Sequence, residues 1–192
     1  MKKEIDLSCM YMGMKLKSPL IVGSCGLTNS VEKIQKMEEY GAGAVVLKSI
    51  FEEQIIAETG QSFKALENNY VHPDALDYIK NYTEIASYDS YAKLISELKK
   101  TVNIPIIASI NCVSDGDWVA YAKRMQDAGA DALELNISLL AVDFEKTANE
   151  IEDKYIQIIN HVKNSISIPL AVKVSPYFSS LGKTLKTFSI CG

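Results

Sequence analysis

Five times along this chain an apolar run ends in a polar residue, a loop follows, and an amphipathic stretch comes after the loop. No other feature constrains the fold as much. The runs are PLIVGS (Pro19–Ser24), AGAVVLK (Ala42–Lys48), IPIIASIN (Ile104–Asn111), LELNI within Asp131–Leu140, and IPLAVKVSP (Ile168–Pro176). Near-repeats mark the period: GAGAVVLK parallels GADALELN, and NIPIIASI parallels SIPLAVKV. Pro19 fits a strand's first position, where no ladder donor is needed. Apolar strands alternating with helices imply a parallel sheet covered on both faces. Right-handed crossovers then allow an open doubly wound sheet or a (β/α)8 barrel. No GxGxxG follows the first run, which argues against a dinucleotide fold.

Periodicity places the helices. One spans about 30–40, with Val31, Ile34 and Met37 on one face and Gly41 as its stop. A second covers about 90–100, with Tyr91, Leu94, Ile95 and Leu98 aligned. A third starts from an N-cap at Ser114-Asp115, carries Trp118, Tyr121, Ala122 and Met125, and ends at Gly129. A fourth spans about 148–164, with Ile151, Tyr155, Ile158, Ile159 and Val162 as its stripe. Residues 5–17 read as a hairpin around Gly13. The excursion from Ser49 to about Tyr88 is long for a loop, a length that is usually functional or partly structured. Within it FEEQII reads as a helical turn, and Tyr70, Tyr78, Tyr82 and Tyr88 as packing residues. After Pro176 comes a loop and the start of another helix.

Composition removes several function classes. The 192 residues suffice for one domain, 1–192, and a net charge of −4 without a basic block argues against nucleic acid. No apolar run reaches the roughly 18 residues of a membrane span. Glu4 and Asp6 fall where a signal peptide carries its apolar core, so the cytoplasm is expected. Cys9, Cys25, Cys112 and Cys191 show no metal-ligand spacing, and two histidines complete the set, so no metal site is expected.

Side-chain alternation along each strand pairs Ser24 with Val22, Lys48 with Val46 and Ala44, Asn111 with Ser109, Asn136 with Glu134, and Lys173 with Ala171 and Ser175. Leu47, Leu135, Val172 and Val174 take the opposite, helix-covered face. Each strand therefore ends in a polar group on the face away from the helices. In a barrel that is the interior, at the end where active sites lie. Two lysines beside two asparagine amides suit an acceptor-rich ligand with negative charge. The alternative is a lysine that reaches out to solvent or pairs with Glu134.

At these residues the sequence resembles the dihydroorotate dehydrogenase family, FMN-dependent (β/α)8 barrels of pyrimidine biosynthesis. LKSPLIVGSCGLT, VVLKS, IIASIN, LELNIS and AVKVSP resemble the family's first five strands in order. The resemblance implies an α/β fold of the TIM (β/α)8-barrel type, with about five β/α units in this chain. It implies FMN as cofactor, contacted by Ser24, Cys25, Gly26, Lys48, Ser49, Asn111, Asn136 and Lys173. Lys173 would face the flavin N1/O2 edge and stabilise negative charge there. The implied substrate is small and acidic, dihydroorotate or a relative, oxidised at a CH–CH bond.

There are two departures. The family's fourth-strand motif reads Asn-Leu-Ser-Cys-Pro-Asn, and its cysteine is the base that takes the substrate proton. Here Leu139 stands at that place and Ala141 replaces the asparagine. Leucine cannot accept a proton, which leaves Ser138 and Cys112 as candidates. The family's substrate-loop asparagine signature is not clear in Glu67-Asn68-Asn69-Tyr70. The second departure is length. Without further strands, the first and fifth would be open edges, in a truncated chain or one covered by a second copy or a completing chain. The loops that grip the FMN phosphate would lie in the missing units. Two rivals stay open: a Schiff-base aldolase or lyase with Lys173 as nucleophile, and a non-catalytic flavin-binding remnant.

Overall fold

The structure, a computed structural model, describes residues 5–51, 88–112, 117–139 and 142–191. Several expectations lie outside the described residues: the turn at 52–56, Tyr70, Tyr78 and Tyr82, the Glu67-Asn68-Asn69-Tyr70 segment, the Ser114-Asp115 cap, and Ala141.

A hairpin comes first, β1 (Cys9–Tyr11) paired antiparallel with β2 (Met14–Leu16). Its two-residue turn has positive φ at both positions, 51° at Met12 and 76° at Gly13, the type I′ geometry that matches strand twist. The chain continues through β3 (Ile21–Val22), α1 (Val31–Glu39), β4 (Ala44–Val46) and β5 (Ile50–Phe51). Then follow α2 (88–101), β6 (Ile106–Asn111), α3 (Asp117–Asp127), β7 (Ala132–Asn136), α4 (Ala148–Lys163), β8 (Leu170–Lys173) and α5 (Leu181–Cys191).

The parallel strands take the order β3-β4-β6-β7-β8, with β5 paired to β6 beyond the end of β4. The sheet curls as half of a TIM-type barrel, with the helices outside. Two apolar layers occupy its faces. The larger one packs Val45, Leu47, Ile106, Ala108, Ile110, Leu133 and Leu135 against helix residues such as Ile34, Ile95, Trp118 and Tyr155. On the inner face Leu16 of the hairpin joins Ala44, Val46, Ile107 and Ala132. The hairpin thus floors the half-barrel at the end where its strands begin.

The inner positions of β4, β6, β7 and β8 follow strict alternation. β3 alternates too, but with the opposite phase from the one expected: Ile21 packs with the inner layer, while Val22 packs with the helix-side core. The expected pairing of Ser24 with Val22 is corrected accordingly. The strand stops after Val22, and Gly23 and Ser24 leave the ladder, so the period no longer determines where Ser24 lies.

Candidate functional site

The site begins at a break. β4 ends at Val46 and β5 resumes at Ile50, so residues 47–49 interrupt one strand. Leu47 still donates to Ile107 O at 2.9 Å, but Lys48 N–H turns to Thr28 O at 3.1 Å. Ser49 N–H turns to Ser24 Oγ at 2.8 Å. The loop after β3 has captured the donors that the ladder lost. Thr28, fully buried, fixes that loop by accepting from Cys25 N–H at 3.2 Å and donating to Cys25 O at 2.9 Å.

The break exposes Ser109 of β6 on one side. Ile107 O faces β4 and Ile106 O faces β7, so alternation aims the peptide groups of Ser109 at the vacated place. The Tyr91 hydroxyl of α2 fills it, accepting from Ser109 N–H at 3.0 Å and donating to Ser109 O at 3.3 Å. Burial pushes the Tyr91 phenol well above its ordinary value; the hydrogen bond to Ser109 opposes this, and the Glu134 charge adds to it.

A polar string crosses the inner face. Ser24 Oγ lies 3.1 Å from Ser49 Oγ, which lies 2.6 Å from Ser109 Oγ. Ser109 Oγ donates to Glu134 Oε1 at 2.7 Å, and Lys173 Nζ donates to the same oxygen at 3.1 Å. An ionised carboxylate only accepts, so the single hydroxyl hydrogen of Ser109 is spent on Glu134. Ser49 must then donate to Ser109, and Ser24 to Ser49. All three hydroxyls point the same way, toward the carboxylate.

At the strand tips, Asn136 and Lys173 are register partners, and Asn111 Nδ2 donates to Asn136 O at 2.7 Å. These three residues are brought together. Lys48 lies in the break after β4, where the strand period no longer places its side chain, and it is exposed, as are Cys25 and Gly26. Ser49 is buried within the string. Leu139 packs against the helix-side core, and its N–H is held by Tyr155 OH at 3.0 Å. Ser138 is exposed, and Cys112 is buried in the helix-side core. Among the described residues no group of three or more acidic, histidine or cysteine side chains could hold a metal ion, and no helix is long and apolar enough to cross a membrane.

Sequence reasoning missed Tyr91 and Thr28 as parts of the site. Tyr91 was counted among apolar residues, although a buried phenol needs a partner and so signals one. Nothing local signals Thr28, whose partners exist only once the loop has closed. The amides and Lys173 lie at the strand tips, at the far end of the inner face from the apolar layer of Leu16, Ala44, Val46, Ile107 and Ala132. Such a set of donors suits the acceptor-rich edge of a ligand.

Comparison with known proteins adds sequence kinship. The model of the dihydroorotate dehydrogenase family matches residues 6–189. The catalytic subunit of dihydroorotate dehydrogenase B (NAD(+)) from Thermoplasma acidophilum is 29% identical over 92% of this chain and 56% of its own length. The PreA subunit of NAD-dependent dihydropyrimidine dehydrogenase from Escherichia coli K12 is 27% identical over 89% of this chain and 42% of its own. The chain thus spans about half the length of the curated relatives it matches. Among solved structures, phosphonopyruvate hydrolase with oxalate and Mg++ is similar at TM-score 0.53 and 13% identity, over 91% of this chain and 56% of that one. Dihydrodipicolinate synthase from Aquifex aeolicus is similar at TM-score 0.52 and 13% identity, over 89% and 50%. Likeness at that identity speaks for the fold alone.

Proposed function

Because the chain belongs to the dihydroorotate dehydrogenase family, we propose that it is the flavin-holding part of an FMN-dependent oxidoreductase. Its substrate class is a small acidic dihydropyrimidine such as dihydroorotate, in pyrimidine biosynthesis in the cytoplasm. The carrying observation is the meeting of Asn111, Asn136 and Lys173 at the tips of three adjacent parallel strands. FMN, when bound, supplies a two-electron acceptor. Lys173 holds a proton-rich, positive group at the ring edge, where negative charge develops. The amides of Asn111 and Asn136 orient the ring, and the Ser24–Gly26 loop with Lys48 and Ser49 borders it. Buried Thr28 and the Ser24–Ser49 contacts keep that border rigid.

The base is the weak part of the machinery. Leu139 turns its side chain to the core and Cys112 is buried on that same helix side, which leaves the exposed Ser138 as the candidate near the rim. Among the described residues β3 and β8 each have a strand on one side only, and α5 leaves Leu185 and Ile190 exposed. A second copy or a completing chain covers these surfaces in our reading and supplies the grip on the FMN phosphate. The Schiff-base alternative is less well supported, since Lys173 is ion-paired and its side chain is 46% exposed. A nucleophilic lysine needs a desolvated amine.

The test is a visible spectrum of the purified chain with added FMN, followed by dihydroorotate without oxygen. A perturbed flavin band supports the reading, and bleaching by dihydroorotate supports the substrate. A spectrum identical to that of free FMN at saturating FMN contradicts the flavin site. A perturbed band that dihydroorotate leaves unbleached contradicts the substrate and favours a non-catalytic role.

A further inference from the structure

We propose that Glu134 is the positioning residue for Lys173. Its carboxylate draws the amine back across the inner face and offsets part of its charge at the edge of the flavin. The inference rests on the FMN reading given above and assigns a role to a residue that touches no ligand in it.

The geometry separates the two partners by depth. Glu134 is one step below Asn136 on β7, and its side chain is 14% exposed, against 46% for Lys173. Register places Asn136 opposite Lys173 and Ala171 opposite Glu134. Lys173 therefore reaches diagonally backward to make its 3.1 Å contact. The small side chain of Ala171 leaves room for it to do so. A lysine at a strand end would otherwise extend into solvent, where its charge is fully hydrated.

The carboxylate itself is held firmly. Ser109 donates to it at 2.7 Å, and the two serines behind Ser109 align their dipoles the same way. Among the described inner positions of β4, β6, β7 and β8, Glu134 is the one carboxylate (the others are Ala44, Val46, Ile107, Ser109, Asn111, Ala132, Asn136, Ala171 and Lys173). It is thus a fixed counter-charge inside a low-dielectric face, and Lys173 is the movable charge that answers to it. A bound flavin meets a lysine whose direction and net field are set by Glu134. Taking the negative charge away leaves a more positive edge, which favours electron uptake by the flavin.

The experiment measures the midpoint potential of FMN bound to the wild-type chain, to Glu134→Gln, to Lys173→Met and to the double variant. Glutamine keeps the shape and an oxygen that accepts from Ser109, but it removes the charge. The expected result is an upward shift in Glu134→Gln that is clearly smaller when Lys173 is already methionine, because only the direct field of the lost carboxylate then remains. A residue with a merely structural role would shift the potential equally in both backgrounds. Ala171→Val provides an independent arm should Glu134→Gln fail to fold. It fills the space that Lys173 leans across, leaves the carboxylate intact, and is expected to shift the potential upward as well. Unchanged or lowered potentials in Glu134→Gln and Ala171→Val, or a shift of the same size without Lys173, overturn the inference. Failure of the wild-type chain to take up FMN contradicts the flavin reading instead, so the two failures are told apart.

Discussion

At Gly43 a methyl group would sit 2.0 Å from the carbonyl oxygen of Ser18. The oxygen cannot retreat easily. Gly43 N–H is bonded to Leu20 O at 2.7 Å, and Ser18 Oγ is bonded to Gly41 O at 2.6 Å. Gly43→Ala is expected to destabilise the fold by about 2 kcal/mol or more, because both neighbours are backbone. The urea midpoint measures this. Tyr91 makes the second residue-scale case. Tyr91→Phe removes the group that satisfies both the N–H and the C=O of Ser109, at an expected cost of about 1–3 kcal/mol. The pH dependence has a definite sign. The folded Tyr91 phenol loses its proton above the ordinary value of 10.0, so above that pH the unfolded state gives up the proton first. Stability then falls as pH rises, by at most about 1.4 kcal/mol per pH unit from this one group. A denaturation series across that range should show the fall in the wild type and a shallower one in Tyr91→Phe. Neither role is visible in a pattern of polar and apolar letters, since each depends on a segment remote in sequence.

At the scale of elements, polar side chains fasten the starts of the strands. Asp131 Oδ2 accepts from Ile106 N–H at 2.8 Å while its carboxylate holds Lys99 at 2.7 Å. Gln126 Oε1 accepts from Ser167 N–H at 2.7 Å and Ile168 N–H at 3.3 Å. Helix α4 starts from a capping box: Thr147 Oγ1 accepts from Glu150 N–H at 3.3 Å, and Glu150 accepts from Thr147 N–H at 2.7 Å. Thr147→Ala is expected to cost about 1 kcal/mol, read from the thermal midpoint. It should also loosen the Tyr155 hydroxyl that holds the loop after β7. The helices and the five barrel strands were legible because a buried stripe imposes its period on the sequence. The break at 47–49 was not. AGAVVLKS continues the apolar pattern, and what ends the ladder is competition from Thr28 O and Ser24 Oγ. The same competition explains why alternation failed at Ser24 and held at Asn111, Asn136 and Lys173, which sit on or at the ends of uninterrupted strands.

For the whole molecule, the floor and the rim divide the labour. The hairpin seals one end of the half-barrel with Leu16 against Ala44, Val46, Ile107 and Ala132, and the polar string crosses the other. The string was half legible: parity put Ser109 and Glu134 on the right face, but their link to Ser24 through Ser49 needs the curl of the sheet. A rigid sheet that gathers amides and an ion-paired lysine at one end suits ligand binding without large motion. In the proposed function these tips hold a single flavin. The most direct measurement is a fluorescence-quenching titration of FMN into the wild-type chain and into Asn136→Ala. Saturable quenching is expected in the wild type, with an affinity about tenfold weaker in the variant, the worth of one well-placed hydrogen bond. Equal affinity in the two chains, or no saturable quenching in either, would contradict it.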